Sequence, residues 1–570
     1  MMKHIMQKAV SLLLVFTLLA GLSATVFAKD TTWISQSHSD IPLIRISGDG
    51  EMLFDGEGNK VFHYKDALTM AEKADINTLK DPATIESIVN LTMPLLINGL
   101  LHGDWDPFYR SLQTEIGKLF ERSLLDPDGN PQYGSGLHPD KIAASEYDRH
   151  TDKAWRTETG EKYYTQDRYW FHYDWRLDPI ESAAEFKSYI DDILEATGCE
   201  QAGILASCLG TNVVTAYLAV YPEHAAQHIR GVAYDGSVVG GAEILSEAIS
   251  GKFNINAAAV NRLLLDSSAI GLFQVDDFVN VTMEMLERDG IFDLIDETGK
   301  KTLYYTMVEG VTSALALSTF YTWPNYWASV TPEDYETAKQ YVFGPEGSEK
   351  RTKYAGLIAK LDRYDVTVRQ RVPEILKQTV ANGVHFGAIS KYGFQLLPIC
   401  ESSDAVSDQF ASVRRSSFGA TTGTLYQDLP ASYLAERRAA GFGDYLSPDG
   451  QVDASTCLFP ESTWFIKGSS HSNWSDWELR LMYDIASAKE QLTVGNVCWP
   501  SRFVVYSYTN PEVETDGEIA PMTTENCDTE NWEADDKMDN PTDRAGKIFS
   551  AVSALLKWLM ALITKIFHLG

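Results

Sequence analysis

The sequence predicts an α/β protein whose mostly parallel sheet is covered by helices on both faces. Short apolar runs bounded by turns alternate with helical stretches, which is typical of buried parallel strands. Two helical stretches, 182–197 and 209–221, each follow a strand-like run. We therefore expect crossover helices to join neighbouring strands. The strand-like runs are 42–50, which ends in a glycine-bearing loop, 170–175, 201–206, 229–234, 384–389 and 463–467.

Composition indicates a large folded protein and argues against nucleic-acid binding. The 570 residues include 48 Lys or Arg against 79 Asp or Glu, which gives a net charge of −31, and 44% are hydrophobic. This length and apolar fraction suffice for a substantial core and exclude disorder as the main state. The negative charge repels phosphate backbones, and no basic stripe offsets it. We expect no nucleic-acid partner.

The first 28 residues have the pattern of a secretory signal peptide. Lys3 and Lys8 precede an apolar run, and Val26-Phe27-Ala28 fits a small-x-small cleavage motif. The apolar run has about 14 residues, fewer than the roughly 20 that a spanning helix needs. We predict cleavage before Lys29 and a secreted or extracytoplasmic protein, with a retained membrane anchor as the alternative.

The rest of the chain is predicted to be a core interrupted by an insertion. The α/β pattern covers 29–240 and 382–510. Between them, 241–381 is mostly helical in pattern and carries an aromatic run at 320–327, so we expect a helical cap over one edge of the sheet. The aromatic residues fit a pocket for an acyl chain or, more simply, a hydrophobic core.

The C-terminal region has an acidic part and an apolar part. Residues 511–543 contain twelve acidic residues and one basic residue, which predicts a linker. In 544–570 polar residues recur along one helical face, so we predict an amphipathic helix. Lys557 near its middle disfavours a spanning helix. Two roles stay open: peripheral contact with a membrane surface, and docking on the protein itself or on a partner.

The strongest chemical signal is the turn 206–210, which joins a buried strand directly to a helix. A nucleophile on such a strained turn needs small residues two positions before and after it. Around Cys208 these are Ala206 and Gly210, whereas around Ser207 they are both leucine. The helix N-terminus favours a thiolate at this place. Cys208 is the candidate nucleophile, and the alternative is a small buried cysteine without a chemical role.

The region around this turn resembles the lecithin:cholesterol acyltransferase and related lipase family of α/β-hydrolases. The run Tyr173-Asp174-Trp175-Arg176, the helix after it and the turn are similar to that family, and so is the glycine-rich segment 231–241. The resemblance covers about residues 42–50, 170–241 and 384–475. It implies the α/β-hydrolase fold with a cap insertion, and a lipid-like acyl substrate.

In such a hydrolase the acid and the histidine follow the nucleophile in that order. A segment after a late strand resembles the family's acid loop and selects Asp408, with Asp404 as the runner-up. Only His471 and His568 follow Asp408 along the chain, and His568 belongs to the predicted terminal helix. His471 lies in a Gly/Ser loop after a strand-like run. The predicted triad is therefore Cys208, Asp408 and His471.

The resemblance also implies the donors that would stabilise an oxyanion. They are the backbone N–H of Leu209 and the loop Gly48-Asp49-Gly50, in which glycine allows close approach to a carbonyl. The carboxylate of Asp49 departs from this pattern, because it opposes an oxyanion unless it points away. In this scheme Cys208 attacks an ester, thioester or amide carbonyl and forms an acyl-enzyme.

Cysteine in place of serine leaves three possibilities. The chain is a thiol hydrolase, an acyltransferase, or an inactive protein of this fold that binds a ligand or a partner. The retained acid and histidine candidates favour catalysis. Among six cysteines, Cys400 and Cys457 flank these candidates and form the predicted disulfide. No Cys-x-x-Cys pair occurs, and we predict neither a metal nor a cofactor.

Overall fold

The computed structural model describes the chain from the first predicted strand onward, with gaps. The predicted signal peptide at 1–28 and the predicted amphipathic helix at 544–570 lie outside the described residues. None of the described helices combines the length and hydropathy that crossing a bilayer requires. The described ranges are 41–48, 53–54, 60–62, 82–133, 149–151, 167–253, 297–425, 427–473, 475–497, 501–508 and 517–527.

Nine of the described strands form one sheet in the order β13-β12-β11-β8-β7-β6-β1-β5-β4. The pairs β2–β3 and β9–β10 lie apart from it. The strands are β1 (Leu43–Ile46), β2 (Leu53–Phe54), β3 (Lys60–Phe62), β4 (Arg149–Thr151), β5 (Asp167–Trp170), β6 (Ala202–Cys208), β7 (Ile229–Ser237), β8 (His385–Tyr392), β9 (Thr421–Thr422), β10 (Val452–Asp453), β11 (Thr463–Lys467), β12 (Phe503–Tyr508) and β13 (Gly517–Pro521).

The seven central strands of this sheet, from β5 to β12, all run parallel. Only the two edge strands, β4 and β13, pair antiparallel with their neighbours. Parallel strands need crossover connections, and helices supply them here between β5 and β6 and between β6 and β7. The predicted α/β class with a mostly parallel sheet is confirmed.

Helices make up most of the remaining described structure. They are α1 (Pro82–His102), α2 (Asp106–Leu119), α3 (Pro179–Thr197), α4 (Gly210–Val220), α5 (Pro222–His228), α6 (Glu243–Ser250), α7 (Glu297–Ser318), α8 (Pro324–Ala328), α9 (Tyr335–Phe343), α10 (Glu349–Lys353), α11 (Ala355–Thr367), α12 (Val372–Ala381), α13 (Val413–Ser416), α14 (Ala431–Ala439) and α15 (Asp476–Ser487), and the short 3₁₀ turns are 121–123, 320–322, 369–371, 443–445, 454–456 and 460–462.

Both faces of the sheet are covered because successive strand residues point to opposite sides. Ile204 and Val232 pack in one cluster with residues of α3 and α4. Their neighbours Leu205 and Ala233 pack in a second cluster with residues of α15, such as Ile485. Strands buried on both faces read as continuous apolar runs, which is the pattern from which β6 and β7 were predicted.

The helices next to the site begin at recognisable signals. The Asp178 side chain accepts a hydrogen bond from the Ile180 N–H at 2.9 Å, and Pro179 is the first residue of α3. The helix thus starts three residues before the predicted 182. Helix α15 starts at a capping box in which Ser475 and Glu478 satisfy each other's backbone N–H groups.

The described part of the insertion, 241–253 and 297–381, contains helices and turns but no strand. Its aromatic run is core rather than open surface, since Trp323 and Trp327 are fully buried. Trp175 meets the ring of Trp323 edge-on at a centroid distance of 5.2 Å. The insertion therefore shares a hydrophobic core with the segment that follows β5.

Two parts of the chain fold differently from expectation. Strand β5 ends at Trp170, so 171–175 leaves the sheet although the whole run 170–175 looked strand-like. Within the predicted acidic linker, residues 517–521 form β13 and pair antiparallel with β12. An edge strand has one solvated side and tolerates acidic residues, which hides it in a charged sequence.

The predicted Cys400–Cys457 disulfide is wrong, because both cysteines are unbridged. Cys400 packs in the large cluster that contains α3 and α4, whereas Cys457 packs in a separate cluster on the β11–β12 side. Burial raises the pKa of both thiols, with that of Cys457 reaching about 11. They are buried apolar side chains of two different cores.

Candidate active site

The candidate nucleophile lies at the junction of β6 and α4. Cys208 has a left-handed backbone with φ of 48°, one of three such non-glycine residues in the described ranges. The parallel register with β7 shifts at this position. A non-glycine residue in this conformation is strained and persists only where the surrounding fold imposes it. Here the following turn helps, since Thr211 Oγ1 donates to the Cys208 carbonyl oxygen at 2.7 Å.

Gly48, just after β1, lies directly against this junction. A Cβ atom at Gly48 would be 2.9 Å from the Cys208 sulfur and 3.3 Å from the Leu209 nitrogen. Any larger residue would therefore collide with the thiol. Three predicted residues, Gly48, Cys208 and Leu209, thus converge on one point. The other two predicted oxyanion-loop residues, Asp49 and Gly50, lie outside the described residues.

The candidate acid is held in a tight loop after β8. Asp408 is fully buried, and its Oδ1 accepts hydrogen bonds from the N–H groups of Phe410 at 3.0 Å and Ala411 at 2.8 Å. Gln409 within this loop has a φ of 84°, which lets the chain fold back onto the carboxylate. The runner-up, Asp404, is exposed. Of the two candidates, Asp408 is the one that the fold buries and holds in this loop.

His471 follows β11 and meets Asp408 directly. Its Nδ1 lies 2.8 Å from Asp408 Oδ2, and its backbone N–H donates to the Asp408 carbonyl oxygen at 2.7 Å. Phe410 stacks on the imidazole with ring centroids 4.7 Å apart. Gly236 lies beneath the pair, where a Cβ atom would be 3.3 Å from the imidazole. Backbone, side chain and aromatic contacts together fix the ring orientation.

The second ring nitrogen of His471 is directed to the thiol side of the site. Its Nε2 is buried and makes no hydrogen bond of standard geometry to any described residue. Cys208 nevertheless acts on the ring electrostatically. Burial lowers the pKa of His471, but Asp408 and Cys208 outweigh it and raise the pKa to about 10. The imidazolium is the favoured form at neutral pH.

The electrostatics of Asp408 match this arrangement. Burial by itself raises the pKa of Asp408. His471 and the two loop N–H groups reverse this effect and hold the pKa below its ordinary value. A buried carboxylate is stable only with such partners. At neutral pH the acid is therefore ionised while His471 carries its proton.

The fully buried ammonium group of Lys391 contacts the loop that carries His471, which we call the histidine loop. Lys391 at the end of β8 donates to the carbonyl oxygens of Asn473 at 2.9 Å and His471 at 3.3 Å. It also pairs with Asp235 at 3.1 Å and lies 3.7 Å from Glu478. Burial raises the pKa of Asp235 to about 6 although Lys391 opposes the effect. Only a tertiary structure brings these charges together.

The Tyr-Asp-Trp-Arg run supports the opposite wall of the site. The Tyr173 hydroxyl donates to the Ser47 carbonyl oxygen at 2.9 Å, which fixes the residue just before Gly48. Asp174 and Arg176 form a buried bidentate ion pair. The motif thus has a positional role that its sequence did not reveal.

Residues with metal-binding chemistry do not gather elsewhere in the described ranges. His224 and His228 are one turn apart on α5, a spacing that metal sites use. Both ring nitrogens of His224 are already engaged, by Tyr217 at 2.7 Å and Asp191 at 2.8 Å. No group of three or more His, Cys, Asp or Glu side chains with suitable geometry occurs among the described residues.

Sequence reasoning named the three central residues but missed most of their supports. Gly236 lies within the glycine-rich segment 231–241, but the local sequence around Lys391 gave no signal of its long-range contacts. Phe410 gave no local signal. Comparisons with protein-family models, with curated proteins and with solved structures found no match to this chain.

Proposed function

We propose that the protein is an acyl hydrolase or acyltransferase of the α/β-hydrolase fold with a Cys208-His471-Asp408 triad. One observation carries this proposal. A cysteine is held in a strained left-handed conformation at a strand–helix turn, beside a buried imidazole that is oriented by a buried carboxylate. Strain at a reactive side chain persists where function requires it.

The topology supports the same reading. Cys208 ends β6, Asp408 follows β8 and His471 follows β11, and these strands run parallel in one sheet. The three side chains therefore meet at the carboxyl edge of the sheet, in the chain order nucleophile, acid, histidine that α/β-hydrolases use. The resemblance of 170–241 to the lecithin:cholesterol acyltransferase family agrees with this assignment.

Acylation follows from the charges of the site. The Cys208 thiolate attacks the carbonyl carbon of the substrate and forms a carbon–sulfur bond, while the carbonyl electrons move to oxygen. The Leu209 N–H and the Gly48 loop stabilise this oxyanion. The His471 imidazolium then gives its Nε2 proton to the leaving group, whose bond to carbon breaks. The products are a thioester on Cys208 and a neutral imidazole.

Deacylation reverses these roles. The neutral His471 takes a proton from the acceptor, which attacks the thioester carbonyl and expels the Cys208 thiolate. Water as the acceptor gives hydrolysis, and an alcohol or amine gives acyl transfer. Asp408 keeps its charge throughout and stabilises the imidazolium. The scheme uses only side chains and backbone groups of the protein.

The substrate class and location are further parts of this proposal. The family resemblance supports a lipid-like acyl substrate. The N-terminal pattern supports export with cleavage before Lys29, and the segment 544–570 supports peripheral contact with a lipid surface. Edman or mass analysis of the exported chain tests the predicted cleavage before Lys29. Loss of vesicle binding after removal of 544–570 tests the predicted contact with a lipid surface.

The decisive experiment measures thiol reactivity. Cys199 is a matched internal control, because it is partly exposed like Cys208 but lies at the end of α3, away from His471. We expect iodoacetamide to label Cys208 much faster than Cys199 at pH 7. His471→Ala should slow Cys208 and leave Cys199 unchanged. Equal, slow labelling of both cysteines would instead indicate an inactive binding protein.

Products from esters and thioesters of graded chain length then define the reaction. We expect acid release that depends on Cys208 and increases with acyl length if the substrate is lipid-like. Cys208→Ser should be slower, because the imidazolium form of His471 is poorly suited to deprotonate a serine hydroxyl. A serine variant that is faster on ordinary esters would contradict this role for the thiolate.

A further inference from the structure

Two carboxylates on one helix hold the loop that carries Asp408. Helix α6 opens the insertion, directly after the glycine-rich segment that ends β7. Glu243 and Glu247 are four residues apart on it, so their side chains lie on the same face. That face contacts the acid loop, which we define as residues 400–412. Both carboxylates accept hydrogen bonds from this loop.

Each carboxylate engages a different end of the acid loop. At the start, Glu247 accepts from the N–H groups of Glu401 and Ser402 and from the Ser402 hydroxyl. At the end, Glu243 accepts from the N–H of Ser412 at 2.9 Å and from its hydroxyl at 2.6 Å. Five hydrogen bonds to charged acceptors bracket the segment that contains Asp408. Bonds of this kind are the strong ones.

These contacts are partly shielded from solvent. Glu247 is 5% exposed, and an unpaired carboxylate in that position would be unfavourable. Glu243 also lies 3.5 Å from the Arg415 guanidinium on α13. The carboxylates are therefore committed to the acid loop, and removal of either leaves backbone N–H groups without their acceptor.

An adjacent face of α6, together with the residue before the helix, is bonded to the rest of the insertion. Ser246 donates to Asp334 at 2.7 Å and accepts from the Thr331 N–H at 3.2 Å. The Ala242 N–H donates to the Ser329 carbonyl oxygen at 2.8 Å. Helix α6 is thus bonded both to the rest of the insertion and to the acid loop.

We propose that Glu243 and Glu247 are positioning residues that hold the acid loop in place and keep Asp408 aligned with His471. This inference rests on the proposed function of the triad. It adds a role for the insertion, because α6 transmits the positions of Ser329, Thr331 and Asp334 to the acid. Neither glutamate contacts the reacting atoms, and neither is a catalytic residue.

The test compares Glu243→Gln, Glu247→Gln and the double variant with Glu333→Gln. Glu333 is a matched control, since its 63% exposed side chain pairs with the same Arg415 at 3.1 Å but does not contact the acid loop. Two readouts are needed: hydrogen exchange of the acid-loop amides, and the pH profile of iodoacetamide labelling at Cys208.

We expect faster amide exchange across 401–412 in Glu243→Gln, in Glu247→Gln and in the double variant, but not in the Glu333→Gln control. Because Asp408 raises the pKa of His471, its misalignment weakens the imidazolium beside the thiol and should move the rise of the labelling profile to higher pH by about one unit. Acyl turnover should fall about 10- to 100-fold through kcat, with KM nearly unchanged. A purely structural role would leave the pH profile of the folded fraction as in the wild type.

Ser402→Ala combined with Ser412→Ala provides a milder test if the glutamine variants do not fold. It removes one hydroxyl bond from each carboxylate and keeps both charges, so the same changes should appear at smaller size. The inference would be overturned if every variant of Glu243, Glu247, Ser402 and Ser412 showed the wild-type rate of amide exchange and an unchanged pH profile of labelling. If the wild type shows no fast labelling of Cys208 that depends on His471, the proposed triad is refuted. The amide-exchange experiment would still decide whether Glu243 and Glu247 hold the acid loop.

Discussion

Replacement of Asp408 by Asn tests directly how the histidine is held. The change keeps the size of a fully buried side chain and removes its charge. The carboxylate oxygen that lies 2.8 Å from His471 Nδ1 is replaced by an uncharged amide oxygen or amide nitrogen. Burial, which lowers the pKa of His471, is then opposed mainly by Cys208. We expect the pKa to fall from about 10 to near or below its ordinary value of 6.5.

The size of the effect follows from these two values. At pH 7 a pKa of about 10 favours the imidazolium by about a thousand to one, whereas a pKa of about 6.5 leaves the neutral ring in excess. The difference corresponds to about 5 kcal/mol in favour of the protonated ring. Without that proton the thiolate loses its charged partner, and Cys208 should react more slowly near neutral pH.

The assay is the rate of iodoacetamide labelling between pH 5 and 10.5, followed by peptide mass spectrometry. The wild type should label rapidly throughout the neutral range. Asp408→Asn should be about tenfold slower or more at pH 7, because the thiolate has lost the imidazolium beside it. Asp404→Asn, at the exposed position four residues earlier, should match the wild type. Identical profiles for Asp408→Asn and the wild type would refute the argument that this carboxylate sets the charge of the imidazole.

Three further perturbations test the walls and charges of the site. Gly48→Ala places a methyl group 2.9 Å from the Cys208 sulfur, so acylation in a stopped-flow burst should fall about 100-fold or more in the folded protein. A normal burst would contradict this close approach. Tyr173→Phe removes the hydroxyl that donates to the Ser47 carbonyl oxygen. It should lower kcat about tenfold and reduce the free energy of unfolding in urea by about 1 kcal/mol. Lower stability with an unchanged kcat would show that Tyr173 has no role in the site. The pKa of His471 is higher in the folded protein, about 10, than the value of 6.5 expected in the unfolded chain. The resulting stabilisation is complete below pH 6.5 and is lost as the pH rises toward 10. The urea midpoint should therefore fall more steeply over this range in the wild type than in His471→Gln. Parallel slopes for the two proteins would show that the imidazole is not stabilised in its charged form.

The parts of the fold that local pattern determines could be predicted from the sequence. Strands buried on both faces are continuous apolar runs, so β6, β7 and β8 were recognisable within a few residues. The turn at Cys208 was equally visible, because small residues at fixed offsets are a local requirement. Asp408 followed from the resemblance of its segment to the family's acid loop, and His471 then followed from the order of residues along the chain that this resemblance implies.

The supports of the site could not be predicted because they depend on contacts between distant residues. Lys391 meets the histidine loop about 80 residues later, and Glu243 meets Ser412 about 170 residues later. Nothing in the local sequence of either pair encodes the other. The wrong disulfide has the same origin, since the positions of Cys400 and Cys457 along the chain carry no information about their distance.

The two misjudged segments failed for different physical reasons. The run 170–175 is aromatic and apolar like a strand, but the Tyr173 and Asp174 contacts direct it out of the sheet after Trp170. The strand at 517–521 lies within an acidic segment that reads as a linker, but it pairs at the edge of the sheet, where one side remains in solvent. Local composition describes solvent exposure better than it describes pairing.

Intact-mass analysis of the acyl-enzyme tests the central claim most directly. The protein is mixed with an activated long-chain acyl ester, quenched in acid within the first turnover and digested for peptide mapping. We predict one acyl group per chain on Cys208, stable to acid and released by hydroxylamine, and its loss in Cys208→Ala. In His471→Ala the adduct should form much more slowly. Product release without an adduct at Cys208, or equal turnover by Cys208→Ala, would contradict the assignment of this cysteine as the nucleophile.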